Sequence, residues 1–161
     1  MNRKYTTDEF YNLVQKIYSL SPDTAITTDY ICGFPTETNV DHVNSLDFVK
    51  KVAFFKLHVF PYSKRKFTPA AKLTQVKDIN KTKRVQEMLN VSEQLTTNFI
   101  KKFINKPVWV LFEKYDNDIN TGYSSQYFKV NVLNNVNYCN QLKKVYIKKV
   151  IFDQAFGEII E

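Results

Sequence analysis

The feature that most constrains the fold is a change in the hydrophobic pattern at Pro107. Before this residue, two helix patterns alternate with two short strand patterns, and a long helix pattern follows. After it, only short strand patterns occur, separated by turns rich in Asn, Asp and Gly. The first pattern predicts α/β structure with parallel strands, and the second predicts a small β-barrel. The chain has 161 residues, and we predict an α/β domain at residues 1–104 followed by an all-β domain at 105–161.

The elements of the first domain follow from capping signals and periodicity. Thr6 with Glu9, and Thr38 with Asp41, have the spacing of capping boxes and predict the starts of two helices. Strands are predicted near 25–32 and 54–60, and a long helix near 78–105. Two parallel strands alone are too few for a stable layer, so this domain is expected to be part of a larger fold. Helical spacing predicts that the second helix buries Val40, Val43, Leu46, Val49 and Val52.

The second domain is predicted to be a small antiparallel barrel with strands near 109–112, 127–132, 145–151 and 155–160. Alternation along the strand at 127–132 places Phe128 in the core and Lys129 on the surface. Small barrels bind RNA by stacking bases on aromatic rings over a basic surface. The candidate RNA-binding residues of this domain are therefore Tyr123, Tyr127, Lys129 and Lys148.

The net charge of +7 is concentrated in the middle of the chain. Ten Lys or Arg residues and three acids lie between Lys64 and Lys102. Such a basic zone favours a polyanionic partner, and RNA is the usual one for a cytoplasmic protein. The alternative is a solvated, lysine-rich surface, because 20 of the 23 cations are lysine.

Several classes of protein are disfavoured by composition. No apolar stretch reaches the length of a membrane span and no secretory signal opens the sequence, so we expect a cytoplasmic protein without a membrane partner. Cys32 and Cys139 are too few for a disulfide framework or an iron–sulfur site, and no metal site is predicted. His42 is expected on a helix surface, whereas His58 is predicted either to face a barrel interior or to pack in the core.

Four segments carry a resemblance to a known family. They are 1–6 (MNRKYT), 29–38 (DYICGFPTET), 57–65 (LHVFPYSKR) and 67–72 (FTPAAK). In this order they resemble the C-terminal part of the radical-SAM tRNA methylthiotransferases, and the sequence of 57–63 is most similar to the MtaB branch. The resemblance covers essentially the whole chain.

The resemblance implies a fold, a reaction and a site. The fold would be the C-terminal portion of a radical-SAM (β/α) partial barrel followed by a TRAM domain, an OB-like RNA-binding barrel. Members of the family use S-adenosylmethionine and iron–sulfur clusters to attach a methylthio group to C2 of an adenosine beside the anticodon of tRNA, in the MtaB branch N6-threonylcarbamoyladenosine. By this resemblance Tyr62 and Arg65 would face the RNA, and the cofactor side would include Arg3, Ile31, Gly33, Val59 and Phe60.

The chain also departs from the family pattern. The C-x3-C-x2-C motif that holds the radical-generating cluster is absent, so we expect no catalytic residue here, no cofactor bound by this chain alone and no activity alone. Cys32 is predicted to be a small core residue. Thr36 stands where the family has Gly, and Lys66-Phe67 replaces Pro-Gly, which puts the geometry of both loops in question.

Three hypotheses follow from the sequence. In the first, the chain is a C-terminal fragment or truncated paralogue of a tRNA methylthiotransferase, from a decayed gene, a separately encoded half or a mis-assigned start, and activity is expected only with a complementing N-terminal chain. The second is a non-catalytic RNA-binding module, and the third is the remnant of a decayed gene. In the first two hypotheses the expected partner is tRNA.

Overall fold

The computed structural model describes residues 4–160, which form two compact units. The first unit ends at Ser92 and the second begins at Glu93. Arg3 lies outside the described residues. The domain limits at 104 and 105 stay a prediction. The elements of the first unit are α1 (Thr7–Leu20), β1 (Thr27–Cys32), α2 (Asn39–Val52), β2 (Lys56–Pro61), a 3-10 turn (Pro69–Lys72) and the larger part of α3 (Asp78–Lys101).

Both predicted capping boxes are present at the starts of α1 and α2. The Thr6 amide donates to Glu9 Oε2 at 2.7 Å, and the Glu9 amide donates to Thr6 Oγ1 at 3.2 Å. Thr38 and Asp41 repeat this exchange at 2.8 and 3.1 Å. Each box satisfies amides that a helix start leaves without partners, which is why these helices begin where the local sequence predicts.

The buried face of α2 differs from the predicted one. Val49 and Val52 are buried as expected, but Val40 and Val43 are exposed. His42 is buried instead, so its predicted surface position is wrong. Its ring nitrogen Nε2 lies 2.8 Å from a carboxylate oxygen of Glu87 on α3. This polar contact, rather than the valine spacing, decides which side of the first turn faces inward.

β1 and β2 form a two-stranded parallel sheet in which Tyr30 is paired with Val59, and Ile31 with Phe60. Side chains alternate between a covered face and an open face. Cys32 and Leu57 are buried on the covered face, and Cys32 thereby takes the core position that the sequence predicts. His58, on the open face, is exposed. Parallel sheets are normally buried on both faces, so the open face is the unusual feature of this unit.

The second unit is a closed five-stranded barrel with strand order β3-β4-β5-β7-β6. The prediction that it is wholly antiparallel is wrong, because β5 and β7 pair in parallel. Strand β7 lies between β5 and β6 and closes the barrel. Because β7 runs antiparallel to β6, it runs in the same direction as β5. The strands are β3 (Pro107–Asp116), β4 (Ile119–Ser124), β5 (Lys129–Leu133), β6 (Leu142–Ile151) and β7 (Gln154–Ile159).

The barrel core is mostly apolar, although it also contains the polar side chains of Asn120 and Ser124, and it includes the end of α3. Phe128 is buried, as predicted, and its ring centroid lies 5.0 Å from that of Phe103. Phe103 in turn lies 5.5 Å from Phe99 of α3. Strand β4 has no counterpart among the predicted strands, because its sequence INTGYS has a turn-like composition. Gly122 allows the close approach of β3, since a Cβ there would overlap the Leu111 carbonyl.

No helix in the described part of the chain has both the length and the hydropathy needed to cross a membrane.

Candidate functional site

An open cleft lies where β1 and β2 end. Its volume is about 420 Å³. Ile31 and Phe60, which are partners in the strand register, contribute its apolar wall, and they are 38% and 51% exposed. Ligands of α/β proteins bind at the carboxyl ends of the strands, and this cleft has that location. It is lined by Ile31, Phe60, Pro61, Tyr62, Ser63, Arg65, Thr68 and Ala70.

The cleft brings together residues that the sequence analysis assigns to two different roles. Ile31 and Phe60, predicted on the cofactor side, share the cleft with Tyr62 and Arg65, predicted on the RNA side. The Tyr62 ring packs edge-on against Phe34 with a centroid distance of 5.4 Å, which limits its rotation. Val59 does not line the cleft, because alternation turns it to the covered face, where it is half-buried.

Gly33 ends β1 without lining the cleft. Its φ of 71° is in the left-handed region that favours glycine. Its amide donates a hydrogen bond to the Glu37 carboxylate, and a Cβ at this position would overlap the Lys81 side chain. A side chain at this position would therefore strain the backbone and would require the Lys81 side chain to move.

A buried ion pair, which the sequence analysis missed, holds this loop. Arg84 of α3 lies 3.2 Å from Glu37 Oε2, and both side chains are about nine-tenths buried. Arg84 also donates to the Glu37 carbonyl at 3.1 Å and to Asn39 Oδ1 at 2.9 Å. Of the predicted basic zone, then, Arg84 is engaged inside the protein, and Lys81 pairs with Asp78 at 2.7 Å. The only signal in the sequence is an acid and a base separated by 47 positions, which no local pattern connects.

The described residues do not fit an iron–sulfur cluster. Burial, followed by the nearby Glu37 carboxylate, raises the pKa of the Cys32 thiol to about 12, whereas a cluster ligand must be a thiolate. Among residues 4–160, no group of three or more His, Cys, Asp or Glu side chains could hold a metal ion. Ile31 and Phe60, by contrast, provide an exposed apolar wall.

The candidate RNA-binding residues of the barrel differ in their availability. Tyr123 and Lys129 are neighbours in the strand register, on the outside of the barrel. Tyr127 is exposed, but it lies in the turn before β5, with a φ of 62°, rather than in a strand. Lys148 pairs with Glu158 at 3.2 Å, which offsets part of its charge. Trp109, which the sequence analysis did not select, is 46% exposed on the same outer surface.

Comparison with known proteins supplies the family. The threonylcarbamoyladenosine tRNA methylthiotransferase MtaB of Bacillus subtilis is 32% identical over 166 residues, covering 99% of this chain and 37% of the relative. The tRNA-2-methylthio-N(6)-dimethylallyladenosine synthase of Acetivibrio thermocellus is 40% identical over 164 residues, covering 99% and 34%. The Thermotoga maritima MtaB is 36% identical over 131 residues, covering 80% and 30%.

The chain is a homologue of the C-terminal part of the MtaB- and MiaB-type tRNA methylthiotransferases. It spans about a third of the length of these curated relatives. No protein-family profile matches the chain. The family resemblance expected from the four sequence segments is thereby confirmed.

Proposed function

We propose that this chain provides the C-terminal part of a tRNA methylthiotransferase, in which the first unit forms one wall of the cofactor site and the β-barrel binds tRNA. The observation that carries the proposal is the open cleft at the strand ends, combined with homology along the whole chain. In this proposal the first unit is the closing part of a radical-SAM (β/α) barrel, and the second unit is a TRAM domain. The protein would act in the cytoplasm with a separately encoded N-terminal half.

The proposed role of the first unit is to bind and orient. Ile31 and Phe60 offer an apolar surface for the adenine of S-adenosylmethionine. When bound together with the iron–sulfur cluster of the rest of the enzyme, this cofactor supplies the radical chemistry. The ion pair of Glu37 with Arg84 fixes the Gly33 loop, and thereby the end of β1. Gly33 acts through loop geometry, and Val59 acts by packing on the covered face.

Tyr62 and Arg65 line the same cleft. An aromatic ring held edge-on by Phe34 is ready to stack on a base, since little of its rotational freedom remains to be lost. Arg65 is exposed and provides a cation for a phosphate of the same nucleotide. The proposed substrate is N6-threonylcarbamoyladenosine in tRNA, methylthiolated at C2, as the name of the Bacillus subtilis relative indicates for that protein.

The cofactor wall is tested in a chimera that joins the N-terminal part of the Bacillus subtilis relative to this chain at the start of the match. Phe60→Ala removes half of the apolar pair, and we expect S-adenosylmethionine to bind about tenfold more weakly, roughly 1.4 kcal/mol. The control is Lys56→Ala, at the other end of β2 on the same face. Equilibrium dialysis measures both variants. If Phe60→Ala binds as tightly as Lys56→Ala, the assignment of the cleft is wrong.

A second candidate function, the non-catalytic RNA-binding module, is favoured by the exposed aromatic and basic residues of the barrel. It predicts that the chain binds tRNA in the absence of any N-terminal half. The two functions are separated by methylthiolation in the chimera, which the module hypothesis does not predict.

A further inference from the structure

The outside of the barrel carries a continuous apolar surface. Trp109 and Leu111 point outward from β3, where they alternate with the buried residues Val108 and Val110. Leu111 is the register partner of Tyr123 on β4 and of Leu142 on β6. Tyr123 is 44% exposed, similar to Trp109. We call the surface formed by Trp109, Leu111, Tyr123 and Leu142 the stacking face.

Two lysines flank the stacking face. Lys144 is the register partner of Trp109, and its Nζ lies 5.7 Å from the centroid of the Trp109 ring. Lys129 is the register partner of Tyr123 on the other side. The nearest acid along β3 is Glu113, two residues beyond Leu111. The face is apolar and aromatic at its centre, and a lysine lies at each of two of its edges.

This combination fits a polyanion that also has flat apolar faces. An apolar protein partner has no need of the two lysines, and a membrane surface would need more than two cations. Nucleic acid offers phosphates for the lysines and bases for the rings. In a duplex the bases are already stacked on each other, so only unpaired bases can lie on Trp109 and Tyr123.

We propose that the stacking face binds unpaired bases of RNA, with Trp109 as the principal stacking residue and with Lys144 and Lys129 as phosphate contacts. The inference rests on the proposed RNA-binding role of the barrel. It goes further in naming the residues of the second unit that contact the RNA and the class of RNA structure that binds there.

The chain contains a built-in reporter for this site, because Trp109 is its single tryptophan. The purified full chain is titrated with a short single-stranded oligoadenylate, and separately with its duplex with oligouridylate. We expect the single strand to quench Trp109 fluorescence in a saturable manner, and the duplex to bind more weakly without quenching. Quenching by both forms alike, or by neither, would overturn the inference.

Variants measured by fluorescence anisotropy of a labelled oligoadenylate supply the second test. Trp109→Ala is expected to weaken binding about 5- to 150-fold, the range for loss of one stacked base, and Trp109→Phe to retain most of it. Phe152→Ala is the matched control, since Phe152 is another exposed aromatic of the barrel, in the β6–β7 turn. It should change binding less than twofold. Lys144→Gln should reduce the slope of log affinity against log salt by about 0.7.

The outcomes separate this inference from the proposed function. If Trp109→Ala and Phe152→Ala bind alike while tRNA binding and methylthiolation by the chimera persist, the stacking face is wrong and the proposed function stands. If Trp109 becomes shielded as the protein concentration rises without RNA, the face is an interface between copies of the chain, and the inference is also overturned.

Discussion

At the scale of single residues, nine described residues other than glycine have a positive φ, and two of them lie in the loops where the family pattern has Gly. Thr36 and Phe67 have φ angles of 71° and 66°. These are the loops in which the sequence departs from the Gly-containing family pattern. A β-branched residue such as Thr is especially unfavourable there, because its Cβ crowds the neighbouring carbonyl. The chain therefore keeps the left-handed loop geometry at a cost in stability.

Replacing Thr36 with Gly should relieve this cost. We expect Thr36→Gly to raise the free energy of unfolding by about 1 kcal/mol, measured by urea denaturation. The matched control is Thr38→Gly, two residues later, where φ is −85° and the side chain caps α2. That change should destabilise by a few tenths of a kcal/mol. If both substitutions changed the free energy of unfolding by the same amount and in the same direction, the backbone at Thr36 would not be strained.

The two cysteines should differ in reactivity because their environments differ. The pKa of the buried Cys32 thiol, about 12, leaves a thiolate fraction of only about 10⁻⁴ at pH 8. Cys139 is partly exposed and should be alkylated first in the folded protein, with Cys32 reacting only after unfolding in urea. Peptide mass spectrometry measures both sites. Comparable rates in the folded state would show that Cys32 is accessible and ionised.

The same shift gives a direction for pH dependence. The pKa of Cys32 is raised above its ordinary value of 9, so the folded state favours the protonated thiol. Its contribution to stability is fully present below pH 9 and is lost as the pH rises from about 9 toward 12.

At the scale of elements, the buried ion pair of Arg84 with Glu37 links α3 to the loop that follows β1, in addition to apolar contacts. Arg84→Met leaves the buried Glu37 carboxylate without its cation, and we expect a loss of about 3 kcal/mol in unfolding free energy. Lys83→Met, the neighbouring position, removes only an exposed lysine 3.8 Å from Glu87 and should cost less than about 0.5 kcal/mol. Similar losses for the two variants in urea unfolding would contradict the role of the buried pair.

The elements also show what the sequence could and could not predict. The helix starts at Thr6 and Thr38 were predictable, because a capping box is satisfied within four residues. The rotation of α2 was not, since the contact of His42 with Glu87 joins positions 45 apart. Strand β4 was missed because its place in the sheet is decided by its neighbours and not by its own composition. The cleft residues Ile31 and Phe60 came from family resemblance, and Trp109 could be selected only once the strand register was known.

At the scale of the whole molecule, the open face of the β1–β2 sheet and the homology both indicate that this chain corresponds to one part of a larger fold. Parallel sheets are covered on both faces, and the relatives contain about twice as many further residues as they share with this chain. Both observations support the proposal that the chain is one part of a methylthiotransferase, with the first unit as a wall of the cofactor site.

The nucleoside composition of tRNA in cells tests most directly whether this chain is part of a tRNA methylthiotransferase. The chain is fused to the N-terminal part of the Bacillus subtilis MtaB, and the fusion is expressed in a Bacillus subtilis strain that lacks its own MtaB. A parallel fusion carries the N-terminal part of the Acetivibrio thermocellus synthase, in cells that lack the corresponding synthase. Mass spectrometry of tRNA nucleosides should show the methylthio derivative of N6-threonylcarbamoyladenosine restored by the first fusion. If both fusions accumulate as folded proteins and neither restores a methylthio nucleoside, the central claim is wrong.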